Sequence, residues 1–384
     1  MRFEFATATR IIYGPGVLSE AGPAASQMGR RALLVTGSSR ERARSLLDIL
    51  SGVGIEIDLF QVAGEPTTGV IADGTRAAKA WKADLVIGFG GGSALDAGKA
   101  IAALVTNPGE MLDYLEVIGR GKSISERPLP YIAIPTTAGT GTEVTRNAVI
   151  GSPEHRVKVS LRSPLMLPSL ALVDPQLTYD LPREITASTG LDALTQLIEP
   201  YVSVKANPIA DAIAREGIQR AGRALPALAH DLDDHTARDE MALASLLGGM
   251  AMANAALGAV HGFAGPAGGM FPVPHGVVCA RLLPVVMEAN RAALERRQPD
   301  SPVLARYQEI AGWLTGEAKA RAADGIRWVE EQVRSLEIPS LGFYGLKSEH
   351  IPELVEKSAK ASSMKGNPIQ LTFDEMEAIL QQTL

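Results

Sequence analysis

The chain is 384 residues long, 46% hydrophobic and 21% charged, with a formal net charge of −6. That length suffices for two domains with a large core, and the composition excludes a disordered chain. The acidic balance gives no support for nucleic acid or an anionic membrane as partner, and the lone cysteine, Cys279, excludes an internal disulfide.

One cysteine fits a reducing cytoplasm. Residues 1–6 lack the apolar core of a signal peptide. No run of about 18 apolar residues predicts a transmembrane helix. A soluble, cytoplasmic protein is therefore expected.

In chain order, Phe3–Thr9 reads as strand, able to pair across a dimer interface. Ala32–Gly37 is a strand running into a turn, and Glu41–Val53 has helical spacing closed by Gly54. Ile55–Phe60 alternates at the strand period, and Val70–Trp81 is helical. Asp84–Gly90 is a buried strand ending in glycines, Ala94–Val105 the helix after it, and Tyr131–Pro135 another strand. This βαβ rhythm predicts a parallel sheet with helices on both faces.

After Asp180-Leu181-Pro182 the strand signals fade. Thr186–Ser203, Pro208–Ala229, Thr236–Ala256, Leu282–Arg297, Ser301–Leu314, Ala318–Leu336, Glu349–Ser362 and Thr372–Gln382 read as helices. Met241–Phe271 reads as a buried helix followed by a glycine-rich turn. The fold expected is an α/β N-terminal dinucleotide-binding domain over residues 1–180, then an all-α C-terminal domain over 181–384. A cleft between them is the default place for a ligand.

Gly88-Phe89-Gly90-Gly91-Gly92-Ser93 joins a buried strand to a helix. Glycines let the backbone approach a ligand, and free amides at a helix start favour an anion such as a pyrophosphate. Ser93 can cap the helix or donate to phosphate. The segment Pro135–Glu143 offers four hydroxyls and two glycines in one loop. Two such loops after successive strands point to one extended phosphate-bearing ligand at the carboxyl ends of the strands.

Of six histidines, His155, His230, His235 and His350 stand in polar surroundings. His261 and His275 lie 14 residues apart in an apolar, glycine-rich stretch, each followed by Gly. Asp192 and Gln196, at i and i+4, share one helix face. A buried Asp needs a partner, and an Asp with two His is a plausible set for a divalent metal. Gln196 would add a weak fourth oxygen or a hydrogen bond behind the ligands.

These residues resemble the iron-containing (group III) alcohol dehydrogenase family of the dehydroquinate synthase-like superfamily. The resemblance rests on Gly90–Ser93 with Asp96 and Lys99, Pro135–Thr145, Val173-Asp174-Pro175, Thr189–Leu194 and Pro274-His275-Gly276. It implies NAD(P)-dependent alcohol oxidation or aldehyde reduction on a small-molecule substrate, often by a homodimer. Carried over residue by residue, Gly91, Gly92 and Ser93, with Asp96, match the pyrophosphate turn. Thr136, Thr137 and Thr140 match the second cofactor loop, and Lys158 a lysine that faces the cofactor. Gly37 and Ser38 stand where relatives meet the adenosine ribose.

Asp192, His261 and His275 match three of four ligands to a divalent metal, Fe2+ or Zn2+. The fourth is usually a His where this chain has Gln196, and a second His usual near the substrate is Gly265 here. The Thr36–Arg40 segment lacks the Asp that often selects NAD; Ser38, Ser39 and Arg40 could bind a 2′-phosphate, so NADP is expected to be accepted. The alternatives are a maleylacetate reductase-like enzyme with weak or no metal, and a nucleotide-binding homologue without dehydrogenase activity.

Overall fold

The computed structural model describes residues 2–155 and 157–384. The chain divides into two compact units. A sheet unit comprises Thr7–Thr137 and Gly141–Thr178; a helical unit comprises Met1–Ala6, Ala138–Thr140 and Tyr179–Leu384.

The sheet unit runs β1 (Ile11–Tyr13), α1 (Ala21–Met28), β2 (Arg31–Thr36), α2 (Arg44–Gly52), β3 (Glu56–Gln61), α3 (Thr68–Trp81), β4 (Leu85–Gly90), α4 (Gly92–Thr106), α5 (Met111–Tyr114), β5 (Tyr131–Pro135), β6 (Asn147–Ser152), β7 (Val157–Arg162) and β8 (Leu170–Val173). Six strands form one parallel sheet in the order β1-β8-β5-β4-β2-β3. Strand β2 shows why both faces are covered. Leu33 and Val35 enter one core with α3 and α4 residues, while Ala32 and Leu34 enter the other with α1 and α2 residues. All of β4 is buried, as a central parallel strand requires.

The order reverses between β2 and β4. From β2 the chain goes outward to β3, and from β4 it goes the other way to β5. Ligands in open α/β sheets bind at such a switch point, beyond the carboxyl ends of the strands. Here those ends release Gly37 from β2 and the glycine run from β4.

Two features of this unit were not legible in the local patterning. Residues 3–9 form no strand within the chain; the strand is β1, further on. Strands β6 and β7, which local patterning did not reveal, form an antiparallel hairpin. Its alternation is short and half exposed, with Val149 out and Ala148 and Ile150 in.

The helical unit contains α6 (Arg183–Val202), α7 (Pro208–His230), α8 (His235–Ala255), α9 (Ala259–Met270), α10 (His275–Arg297), α11 (Val303–Thr315), α12 (Ala322–Ser335), α13 (Ile351–Ala359) and α14 (Phe373–Gln381). Among the described residues, no single helix is long and apolar enough to cross a membrane. A capping box at Thr372 and Glu375 opens α14.

The glycine-rich turn expected after residue 256 is instead helix α9, with Pro266 inside it, and α10 begins at His275 rather than Leu282. Packing overrides propensity here. A Cβ on Gly262 would lie 2.8 Å from Met364 Cε, and one on Gly276 2.5 Å from the Ser188 carbonyl oxygen. The glycine after each histidine lets its helix pack closely, and so fixes where the imidazole stands.

Candidate active site

The glycine run separates into residues the fold needs and residues it does not. A Cβ on Gly88 would fall 2.2 Å from the Tyr131 hydroxyl. One on Gly90, whose φ is +155°, would fall 2.8 Å from Ala94 Cβ and 3.3 Å from the Gly37 amide. Those two glycines are demanded by packing. By contrast a Cβ on Gly91 would make ordinary contact with Thr137 at 3.5 Å, and one on Gly37 would meet nothing within 4 Å. Room at Gly37 and Gly91 is what a cradle for a close-lying ligand looks like.

Gly91 caps α4 with no side chain of its own to accept from the first amides of that helix, and Ser93 lies inside it rather than capping it. Gly92 and Ser93 are half-buried and Ser38 is exposed. The threonine loop leaves β5 beside the glycine run: the Thr136 amide donates to the Gly90 carbonyl at 2.9 Å. Thr137 stands against Gly91. Thr140 belongs to the helical unit with Ala138 and Gly139. Lys158, on β7, is held by Glu65 at 2.6 Å.

Asp96 is engaged within the protein. Its carboxylate accepts from the Thr142 hydroxyl and, at 3.0 Å, from the Val149 amide. Lys99, 1% exposed, donates to the Thr142 carbonyl at 2.7 Å, the Thr145 hydroxyl at 2.9 Å and the Asn147 carbonyl at 2.8 Å. The pair ties α4 to the chain after the threonine loop. Burial lowers the Lys99 pKa to about 8, and raises that of Glu143, close by, to about 7.

In the helical unit three of the residues singled out from sequence converge. Asp192 Oδ1 lies 3.4 Å from His261 Nε2 and 3.9 Å from His275 Nε2. Glu199, two helical turns further along α6, accepts from His261 Nδ1 at 2.7 Å and from the Val260 amide at 2.7 Å. That bond aims Nε2 toward Asp192, as in a carboxylate–histidine–metal triad. Burial would raise the Asp192 carboxyl, but His275 and His261 outweigh it and hold it at about 2. Burial disfavours charge on His261, yet Cys279, Asp192 and Glu199 raise it well above the usual histidine range.

Two oxygens in this region have no hydrogen-bond partner although buried: Asp192 Oδ1 and Gln196 Oε1. An orphaned buried acceptor costs about 1–3 kcal/mol, more when charged. A divalent cation would satisfy these donors, and two imidazoles with a carboxylate suit one.

Two residues here were missed from sequence. Cys279 stands one turn after His275 on α10, with Sγ 3.6 Å from His275 Nε2 and 3.8 Å from His261 Nε2. Glu199 lies on the Asp192 face, at i+7. The helical spacing was the available signal for Glu199 alone. His155, His230 and His235 are exposed, His350 half-buried.

Comparison with known proteins identifies the class. A model described as iron-containing alcohol dehydrogenase matches residues 8–175. Its C-terminal counterpart matches residues 186–384. Alcohol dehydrogenase 4 of Schizosaccharomyces pombe is 36% identical over 383 residues, covering 97% of this chain and 87% of that one. The 1,3-propanediol dehydrogenase of Klebsiella pneumoniae is 33% identical, covering 99% and 98%. A crystal structure of 1,3-propanediol oxidoreductase superposes with a TM-score of 0.92 at 32% identity, over 100% of both chains. Sulfoacetaldehyde reductase from Bifidobacterium kashiwanohense in complex with NAD+ gives 0.88 at 26%, over 100% of this chain and 99% of that one. The chain belongs to the iron-containing alcohol dehydrogenase family. It is an oxidoreductase acting on CH–OH groups.

Proposed function

We propose that the protein is an NAD(P)-dependent alcohol dehydrogenase and aldehyde reductase that works with a divalent metal. The observation that carries the metal is the buried Asp192 Oδ1, without a hydrogen bond, beside two imidazole nitrogens. Asp192, His261 and His275 would hold the cation, with Gln196 supplying its orphaned amide oxygen to the ligand set or behind it. When bound, the cation would act as Lewis acid on the substrate oxygen and the nicotinamide would carry the hydride.

The protein's own groups prepare that chemistry. Asp192 stays ionised across the working pH range because its neighbours hold it near 2. Glu199 fixes the His261 ring and its tautomer. For the cofactor, Gly37, Ser38, Gly91, Gly92, Ser93, Thr136, Thr137 and Thr140 form the proposed contact set, with Lys158 oriented by Glu65. Asp96 serves by positioning α4. The exposed Ser38, Ser39 and Arg40 favour acceptance of NADP beside NAD.

Open space at Gly265, where a Cβ would meet nothing within 4 Å, leaves room for a substrate larger than a simple alcohol. The two orphaned oxygens favour this reading over a maleylacetate reductase-like enzyme with weak or no metal. A cytoplasmic homodimer belongs to the same reading, and light scattering on the purified protein checks the dimer.

The test is an oxidation assay on a panel of alcohols with NAD+ and with NADP+, and a reduction assay on aldehydes and oxoacids with NADH and NADPH, followed by absorbance, with metal content measured on the same sample. The reading expects turnover with at least one alcohol in metal-loaded protein. Nucleotide binding with no turnover of any alcohol, aldehyde or oxoacid would sink it.

A further inference from the structure

We infer that Cys279 supplies the fourth ligand to the metal, in the place left by Gln196, and that the site thereby favours a thiophilic divalent cation, zinc first, over iron. The inference rests on the metal reading above and adds its ligand set and selectivity. Geometry carries it. Bonds of about 2.0–2.1 Å to nitrogen or oxygen and about 2.3 Å to sulfur set the edges of a tetrahedral site at roughly 3.3–3.6 Å. The observed separations are 3.4 Å and 3.9 Å from Asp192 Oδ1 to the two Nε2 atoms, and 3.6 Å and 3.8 Å from those atoms to Sγ. All four donor atoms lie within 4.8 Å of one another.

Cys279 is wholly buried, as are its apolar neighbours Val278 and Ala280, so its place beside the histidines is fixed by packing. His275 and Cys279 are one turn apart on α10, which puts both donors on one face. Asp192 Oδ1, buried and accepting no hydrogen bond, faces the same group. A thiolate is the soft member of the set and selects zinc-like ions, whereas the imidazole usual at position 196 does not discriminate so. On binding, the Sγ–H bond breaks, a sulfur–metal bond forms, and one proton passes to solvent.

The test uses the full chain, stripped of metal and titrated with Co2+ without air. Because the chain has one cysteine, a thiolate-to-cobalt charge-transfer band in the near ultraviolet reports Cys279 alone. The native chain should develop that band together with visible ligand-field bands, saturating at about one equivalent per chain. In Cys279→Ser the ultraviolet band should vanish while the visible bands remain. Losing a partner behind a ligand already costs about 10–100-fold in affinity, so Cd2+ binding should weaken at least about 100-fold in that variant. Mn2+ binding, which does not favour sulfur, should change far less.

Visible bands without the ultraviolet band in the native chain would overturn the inference and leave the Asp192–His261–His275 reading standing. So would Cd2+ binding as tight in Cys279→Ser as in the native chain. No cobalt binding in the native chain would overturn both. Should the variant fold poorly, the native spectrum decides the point by itself, with Cys279→Ala as the second variant.

Discussion

Each unit buries a cluster of ionisable side chains, and the two are finished differently. Around Lys99 the ammonium has carbonyls and hydroxyls within hydrogen-bond reach, and both oxygens of Asp96 accept. Around Asp192 one carboxylate oxygen accepts no hydrogen bond and has the two imidazoles 3.4 Å and 3.9 Å away, and the Gln196 amide oxygen accepts none. A satisfied buried network holds a fold together. An unsatisfied one is costly unless something else completes it. On the proposed reading the first cluster serves architecture and the second binding, although both contain residues of family motifs.

The largest effect should come from the architectural cluster. Lys99→Met keeps the volume but leaves Asp96 without its cation, and breaking a buried pair from one side costs about 3–5 kcal/mol. Chemical denaturation should show that loss in protein without metal or cofactor. An unchanged midpoint would mean that the Lys99 network is as dispensable to the fold as a vacant binding site.

Next comes Glu143, buried beside Lys99. Burial raises its pKa from 4.5 to about 7. The folded state therefore holds a proton that the unfolded chain releases between those values, and stability falls as pH rises through that window. Glu143→Gln should be more stable than the native chain at pH 8, by on the order of 3 kcal/mol, with the gap closing near pH 5. Melting curves at the two pH values check it; a gap of the same size at both would contradict the assignment.

The smallest effects should separate the glycines. Gly91→Ala and Gly37→Ala meet no steric obstacle in the protein, so melting should barely move while cofactor affinity drops about tenfold, roughly 1.4 kcal/mol. Gly90→Ala, forced against Ala94 and the Gly37 amide, should instead lower the melting temperature. Equal behaviour of all three in both assays would erase the distinction between packing and cradle.

Much of this was legible in the sequence because its causes are local. Strands β2, β4 and β5 are short apolar runs followed by turn residues, and their helices carry the 3.6 period. Asp192, His261 and His275 stood out as polar residues in apolar stretches. What escaped depends on partners distant in sequence. Helix α9 is held by contacts such as that of Gly262 with Met364, against the preferences of its glycines and proline. Because that stretch reads as a turn and α10 as starting at Leu282, His275 and Cys279 could not be placed one turn apart. The tasks of Asp96 and Glu199 are set by Thr142, Val149 and His261, which no local pattern connects to them.

The most direct measurement is alcohol-dependent NAD(P)H formation by one preparation assayed as purified, after chelation to a measured absence of metal, and after reloading with Zn2+ or Fe2+. The account predicts that activity falls by at least about 100-fold on stripping and returns with the cation. Undiminished activity in protein shown to carry no metal would contradict it.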